Sequence, residues 1–358
     1  MAHRVHNFGA GPAALPLPAL ARAREELLDW GGTGMSVLEH SHRGDAYEAM
    51  HHDTLLRLRR LAGLPDTHEI LLLQGGASMQ FATVPMNLLR PGEAADYVVH
   101  GAWGDKALAE AKLVGDARLA GKHPTCAATV RDEDLALTPG AAYVHYTTNE
   151  TIHGAQYHQV PDAKGAPLVA DMSSDIFSRP FDHARHALTY AGAQKNLGPS
   201  GLVVVFVDKG LLARARTDIP QILRYQTHAK SASLYNTIPT FAVYLLREVC
   251  VWLEERGGVA AMGAENDRKQ RALYAALDEH PGAYELPVER DARSWMNVVF
   301  RLRGDGAEAR FLAEAARREL VGLRGHRSVG GVRASIYNAV SEASVARLCE
   351  LVRDFARG

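Results

Sequence analysis

Short apolar runs alternate with amphipathic stretches through the first two thirds of the chain, as strands and helices taken in turn would. Glu69–Leu73, Tyr97–His100, Ala141–Thr147, Pro167–Asp171, Ala187–Tyr190 and the strongly β-branched Leu202–Val207 read as strands. A first helix begins after Pro16, carries Leu20, Leu27 and Leu28 on one side and stops at Gly31-Gly32. A second follows Ser41-His42-Arg43-Gly44 to about Leu61, a third leaves Gly75-Gly76-Ala77-Ser78 and runs through Leu89, and Trp103 opens a fourth. Thr237–Glu255 is a long helix with Phe241, Tyr244, Leu245, Val249 and Trp252 at helical spacing, a packing face rather than a cofactor box. Gly257-Gly258 ends it, and another helix continues to about Glu279.

From Ser294 the texture changes. Ser294–Leu302 reads as a strand with Trp295, Val298, Val299 and Phe300 as its apolar side chains. Glu308–Leu320 is an amphipathic helix, short strands surround Gly325-His326-Arg327 and Val332–Ile336, and Glu342–Phe355 closes as a helix. The fold class is therefore α/β: a large domain with a mostly parallel sheet covered by helices on both faces, plus a small C-terminal α+β domain. Residues 1–15, with Gly9, Gly11 and Pro12, form an extended arm that packs on something else. The expected division is 1–15 for the arm, 16–257 for the large domain and 258–358 for the small one.

Composition narrows the function classes. The 358 residues are 47% hydrophobic and 23% charged, as in ordinary globular proteins. Net charge is −1 with no long basic run, which argues against a nucleic-acid partner. Seventeen histidines make that neutrality conditional near pH 6 to 7. Cys126, Cys250 and Cys349 lack metal spacing and fit a reducing compartment. No signal-peptide core or membrane-length apolar segment is visible, so a cytoplasmic location is expected and no metal is called for.

Candidate chemistry centres on Lys195. It lies among small residues in Ala191-Gly192-Ala193-Gln194-Lys195-Asn196-Leu197-Gly198, between two strands. Small neighbours let a planar ligand and the backbone approach closely, and a partly dry site lowers a lysine pKa. Asp171 ends the strand Pro167–Asp171. A lysine and an acid at the ends of nearby strands suit pyridoxal phosphate: the amine forms the Schiff base and the carboxylate keeps the pyridine nitrogen protonated. Gly75-Gly76-Ala77-Ser78 before a helix is a ready anion site. No Lys-Ser/Thr pair follows it, which argues against a nucleotide-hydrolysing P-loop.

These segments, with Asn149-Glu150-Thr151-Ile152-His153-Gly154, Asn7-Phe8-Gly9-Ala10-Gly11-Pro12, Ser41-His42-Arg43-Gly44, Gly325-His326-Arg327 and Arg333-Ala334-Ser335-Ile336-Tyr337-Asn338, resemble the phosphoserine aminotransferase family. The resemblance runs from near residue 7 to near residue 357. It implies the aspartate-aminotransferase type of fold with its seven-stranded sheet, and pyridoxal 5'-phosphate as cofactor. Lys195 would carry the cofactor and move the proton, and Asp171 would pair with the ring nitrogen. Thr151 would bond the ring oxygen and Trp103 would stack on the ring. Ala77, Ser78 and Gln194 would hold the cofactor phosphate, with Asn236 and Thr237 reaching the phosphate of the neighbouring subunit in a homodimer. Arg333 would bind the substrate α-carboxylate, and His42, Arg43, His326 and Arg327 the distal anionic group.

The implied reaction is reversible, ping-pong transamination of 3-phosphohydroxypyruvate with L-glutamate, a serine-biosynthesis step. A phosphohydroxythreonine reaction in pyridoxal phosphate synthesis sometimes accompanies it. One departure stands out: Ser78 occupies a place where some members carry an arginine that grips the substrate phosphate. The rivals are an alanine–glyoxylate aminotransferase or a cysteine desulfurase on the same fold, and a non-catalytic pyridoxal phosphate carrier. The doubled His-Arg pairs disfavour the first, the lack of a cysteine on a mobile loop disfavours the second, and the full lysine, acid and arginine set disfavours the third.

Overall fold

A computed structural model describes residues 3–357. In chain order the elements are β1 (His6–Asn7), α1 (Leu17–Glu25), α2 (Asp45–Ala62), β2 (His68–Gln74), α3 (Ala77–Leu88), β3 (Ala94–Val99), α4 (Ala102–Val114), β4 (Asp116–Lys122), β5 (Val144–Thr147), β6 (Leu168–Asp171), β7 (Leu188–Gly192) and β8 (Leu202–Asp208). Then follow α5 (Lys209–Ala213), α6 (Tyr225–Lys230), α7 (Thr240–Glu255), α8 (Gly258–Asp278), β9 (Tyr284–Glu285), β10 (Asn297–Leu302), α9 (Ala307–Arg317), β11 (Leu320–Val321), β12 (Val332–Ser335) and α10 (Glu342–Arg357).

β2 to β8 form one seven-stranded sheet in the order β2-β8-β7-β6-β5-β3-β4. The pairings among β4, β3, β5, β6 and β7 are parallel, and β8 alone runs against its neighbours. Six strands therefore deliver their carboxyl ends to one edge. The two-residue period of a strand buries both faces. Along β8, Leu202, Val204 and Phe206 join one core with Leu58, Leu246 and Val249, from α2 and α7. Val203, Val205 and Val207 join the opposite core with Phe81, Leu108 and Tyr225, from α3, α4 and α6. A third core gathers Leu273 and Leu277 of α8, Phe300 of β10, Phe311 of α9 and Leu348 and Val352 of α10 around the antiparallel sheet β12-β10-β9.

The arm docks on this third core. Phe8 is fully buried there, and β1 pairs in parallel with β11. The Phe8 N–H donates to the Val321 carbonyl (2.9 Å), and the Phe8 carbonyl accepts from the Ser335 N–H (3.1 Å).

Several elements differ from the sequence reading: α5, α6 and β9 are absent from it, and α1, α7 and β4 depart for identifiable physical reasons. α1 ends at Glu25 and buries Ala19 and Ala23; Leu27 and Leu28 are exposed and Leu20 is half-buried. Small alanines let α1 lie close against α7, where the Arg22 guanidinium bonds the Glu248 carboxylate and carbonyl. α7 starts at Thr240, not Thr237, because Pro239 sits at its N-cap and a proline biases the residue before it toward extended backbone. β4 has no apolar run to announce it: Asp-Ala-Arg-Leu-Ala-Gly-Lys buries only Ala117 and Ala120, which suffices for an edge strand paired on one side.

Phe8→Ala should lower stability by about 3–4 kcal/mol through the cavity left in the third core. Leu113→Ala, at a side chain 82% exposed on α4, should stay within about 0.5 kcal/mol. Urea midpoints of the two variants check both values.

Candidate active site

Five turns leave the carboxyl edge of the sheet and meet around a cavity of about 280 Å³. The turn after β2 opens α3 at Ala77, the one after β3 opens α4 at Ala102, and the one after β5 carries Thr151. β6 ends in Asp171, and Lys195 follows β7. The lining includes Ala77, Ser78, Trp103, Thr151, Asp171, Gln194, Lys195, His326 and Arg333. A larger groove of about 610 Å³, between α2, α7 and α8, contains none of these residues.

Lys195 is buried, and its Nζ donates to Thr151 Oγ1 at 2.8 Å. The same Nζ lies 5.6 Å from the centroid of the Trp103 ring. Burial pushes the amine down to about 8, with Asp171 and Glu150 opposing the shift. Such an amine is partly unprotonated near neutrality and can act as nucleophile or base. Asp171 is buried too. Its Oδ1 accepts from the Ser173 N–H (2.9 Å) and the Ser173 Oγ–H (2.6 Å), which leaves Oδ2 for a ligand. Burial raises the Asp171 pKa, and the Ser173 bonds partly offset this.

The anion site is built from backbone. No side chain caps α3 and no acidic residue stands in its first turn, so its leading amides are free for a ligand. Gly192 makes room beside them: a Cβ there would sit 2.6 Å from Gln194 Oε1 and 3.3 Å from the Ala77 nitrogen.

Arg333 comes from the other sheet. On β12 it stands opposite Val299 of β10, and its Nη1 donates to the Thr151 carbonyl at 3.3 Å, with Nε buried and unpartnered. Burial holds its guanidinium below the usual arginine range. His326, half-buried on the loop before β12, also lines the cavity and bonds Ser328 Oγ at 2.7 Å.

Five residues singled out in the sequence do not line this cavity. Arg327 and Arg43 are exposed, and His42 is buried with Nε2 unpartnered. Asn236 is half-buried beside a separate small cavity with Gln74 and Met79. Thr237 is exposed, and its carbonyl accepts from Gln74 Nε2. Sequence reasoning in turn missed Ser173 and Asn149. An Asp followed two residues later by a Ser is an Asx-turn signal that could have placed the first. Asn149 bonds Ser174 Oγ (2.8 Å) and Asn297 Oδ1 (2.8 Å), a link to β10 that nothing in the local sequence announces. Among the described residues no cluster of three or more His, Cys, Asp or Glu is placed to hold a metal ion, and no helix is long and apolar enough to cross a membrane.

With nothing attached to its amine, folded Lys195 binds its proton less tightly than the unfolded chain does. That cost is complete below about pH 8 and fades as pH rises toward 10.5. In ligand-free protein, Lys195→Met should therefore add about 3 kcal/mol of stability at pH 7. The gain should shrink between pH 8 and 10.5, as urea midpoints across that range would record.

Comparison with known proteins agrees with this geometry. The family model for aminotransferase class-V matches residues 5–348. The phosphoserine aminotransferase of Geobacillus kaustophilus is 52% identical over 99% of this chain and 99% of its own length. The solved phosphoserine aminotransferase of Bacillus circulans subsp. alkalophilus superimposes with a TM-score of 0.97 at 48% identity, covering 99% of both chains. A pyridoxal-phosphate-bound phosphoserine aminotransferase from Trichomonas vaginalis gives 0.94 at 37% identity, covering 98% of this chain and 100% of its own. Family match, full-length identity and fold agree, and the chain belongs to the class-V aminotransferases.

Proposed function

We propose that the chain is a pyridoxal-phosphate-dependent phosphoserine transaminase, converting 3-phosphohydroxypyruvate and L-glutamate to O-phospho-L-serine and 2-oxoglutarate. The observation that carries this is a buried lysine amine sharing one cavity with a buried carboxylate, an uncapped helix N-terminus and a half-buried arginine. The residues fit the cofactor on three counts. The free α3 amides suit a phosphate, Asp171 Oδ2 is open to a ring N–H, and the Lys195 amine, bonded to Thr151, lines the same cavity.

When bound, pyridoxal phosphate supplies an electron sink for the pair of electrons released at the substrate Cα. The protein does the rest. Ala77, Ser78 and Gln194 would hold the phosphate through backbone amides, hydroxyl and carboxamide. Asp171 would keep the ring nitrogen protonated, and that neighbouring positive charge would stabilise its own carboxylate against burial. Thr151 would bond the ring oxygen, and Trp103 would pack against the ring. The Lys195 amine would hold the cofactor and, when free, its Nζ would carry the proton to and from the substrate Cα. The Arg333 guanidinium pairs with the α-carboxylate, a planar two-point contact that lysine cannot copy.

His326 and Arg327 serve the distal anion. Ser78 adds no charge, so the phosphate grip rests on these residues together with His42 and Arg43. The last two, with Asn236 and Thr237, lie outside the cavity of their own chain, and exposed apolar side chains such as Met35, Leu38 and Tyr235 stand within a few residues of them in the sequence. A second copy of this chain covering that surface would both bury it and bring those polar groups to a site, so the working form is a two-fold dimer. Within each subunit, the chain divides near residue 257 into a cofactor-binding part and a smaller C-terminal part that supplies Arg333 and His326. Cys349, buried in the third core, is unsuited to a desulfurase role.

Three measurements test this. The visible band of the holoenzyme should be lost on adding L-glutamate or O-phospho-L-serine, persist with L-alanine, and return with 3-phosphohydroxypyruvate. A band that answers alanine as readily, or ignores phosphoserine, overturns the substrate assignment. Arg333→Lys should raise KM for both amino-acid substrates about 10- to 100-fold, and an unchanged KM would remove its role. Light scattering should give twice the 38.9 kDa chain mass, and a fully active monomer would sink the shared-site reading.

A further inference from the structure

The turn after β5 carries two acts of positioning in adjacent residues. Thr151 bonds Lys195, and the residue before it, Glu150, reaches back to a different element. Glu150 is fully buried. Its Oε1 accepts the Trp103 N–H at 2.8 Å and the Gly104 N–H at 3.0 Å, in the first turn of α4. Its backbone is fixed as well: Glu150 N–H donates to the Ala155 carbonyl (2.8 Å), and Gly154 N–H donates to the Glu150 carbonyl (2.8 Å). The side chain is therefore a strut between the Thr151 turn and the helix start that bears Trp103.

An ordinary cap does not explain this choice. Helix N-termini are usually capped by a Ser, Thr, Asp or Asn at the N-cap itself, with no acid buried. Here the N-cap is Gly101, with no side chain to offer. Its φ of 177° is open to any residue, so conformation does not demand glycine. Space does: a Cβ on Gly101 would fall 2.4 Å from the Glu150 Cδ. The local cap is thus replaced by a distant carboxylate for which room is kept. The second oxygen, Oε2, is buried without a hydrogen-bond partner, and His153 Nδ1 lies 3.9 Å from it. Burying a carboxylate in this way is costly, although the positive end of the helix dipole favours a negative charge at that point.

We infer that Glu150 is a positioning residue, which fixes Trp103 relative to Thr151 and, through Thr151, relative to Lys195 and Arg333. The Thr151 hydroxyl receives Lys195 Nζ, and its carbonyl receives Arg333 Nη1. One strut therefore sets the spacing between the indole over the cofactor ring, the residue at the ring oxygen and the two substrate-facing cations. This rests on the cofactor placement proposed above, with Trp103 and Thr151 facing the ring.

The test uses holoenzyme and three variants: Glu150→Ala, Glu150→Gln and Gly101→Ala. Glu150→Ala removes both acceptors, and Gly101→Ala leaves the carboxylate intact but pushes it away. Both should lower kcat/KM about 10- to 100-fold, since misplacement of order 1 Å costs that much. Both should also weaken the visible circular dichroism of the bound cofactor, a signal that a purely structural cap would leave unmoved. Glu150→Gln keeps an oxygen for the two N–H groups and should retain rate and dichroism within about threefold. Wild-type-like rate and dichroism in Glu150→Ala would overturn the inference. So would Gly101→Ala behaving unlike Glu150→Ala, or Glu150→Gln being as impaired as Glu150→Ala. Should Glu150→Ala yield no folded protein, Gly101→Ala must still lose rate and dichroism while Glu150→Gln keeps both, and a wild-type-like Gly101→Ala or an equally impaired Glu150→Gln would overturn the inference. A wild-type protein with no visible band would instead defeat the cofactor reading, and the inference that rests on it would fall with it.

Discussion

A primary amine buried at the carboxyl edge of a sheet loses its hydration, and the arrangement around Lys195 follows from how that loss is met. One hydrogen bond to Thr151 and two buried carboxylates, Asp171 and Glu150, oppose the desolvation without cancelling it. The amine is left easier to deprotonate than a surface lysine, which is the state its chemistry needs. The groups that hold it there can converge because strands β2, β3, β5, β6 and β7 all point the same way. Each delivers one turn to the same edge, the usual place for ligands in open α/β sheets.

The C-terminal part adds what the sheet cannot supply. The substrate also needs a cation in the cavity that holds the lysine, and β12 carries Arg333 into it. Its position relative to Lys195 is held by polar contacts rather than by strand pairing. The Asn338 N–H donates to Asn196 Oδ1 at 3.0 Å, one residue from Lys195, and Asn338 Nδ2 donates to the Phe177 carbonyl at 3.0 Å. Behind them Lys269 is buried, with Nζ donating to the carbonyls of Ile336, Tyr337 and Val340 at 2.9 to 3.1 Å. Three donors meet three acceptors, so the segment after β12 has little freedom to drift. The arm closes the arrangement: the Ala13 N–H donates to the Gln194 carbonyl (2.9 Å), and Phe8 anchors the same arm in the third core.

Much of this was legible along the chain because the site residues stand just past strands. Ala77, Ser78, Trp103, Thr151, Asp171 and Lys195 each follow or end an apolar run, so recognising the run nearly places the residue. The α1 difference comes from packing, whereas the α7 difference comes from Pro239. α1 buries alanines rather than leucines because the partner helix comes close, and apolar side chains such as Leu27 and Leu28 do not report which face a neighbour covers. β4 was invisible because an edge strand needs only half the apolar pattern.

The alternation of strands and helices, the glycine turn, the lysine after β7 and the acid ending β6 are local properties. They are written in residue types and spacing, and the sequence by itself determined them. Tertiary structure decided which distant segments meet. It set Arg333 and His326 in the cavity while leaving Arg327, His42, Arg43, Asn236 and Thr237 outside it. It also joined Glu150 to the start of α4, a contact 46 residues away along the chain. The reason is physical: a strand end is fixed by its own hydrogen bonds, whereas a loop goes where the packing of other elements leaves room.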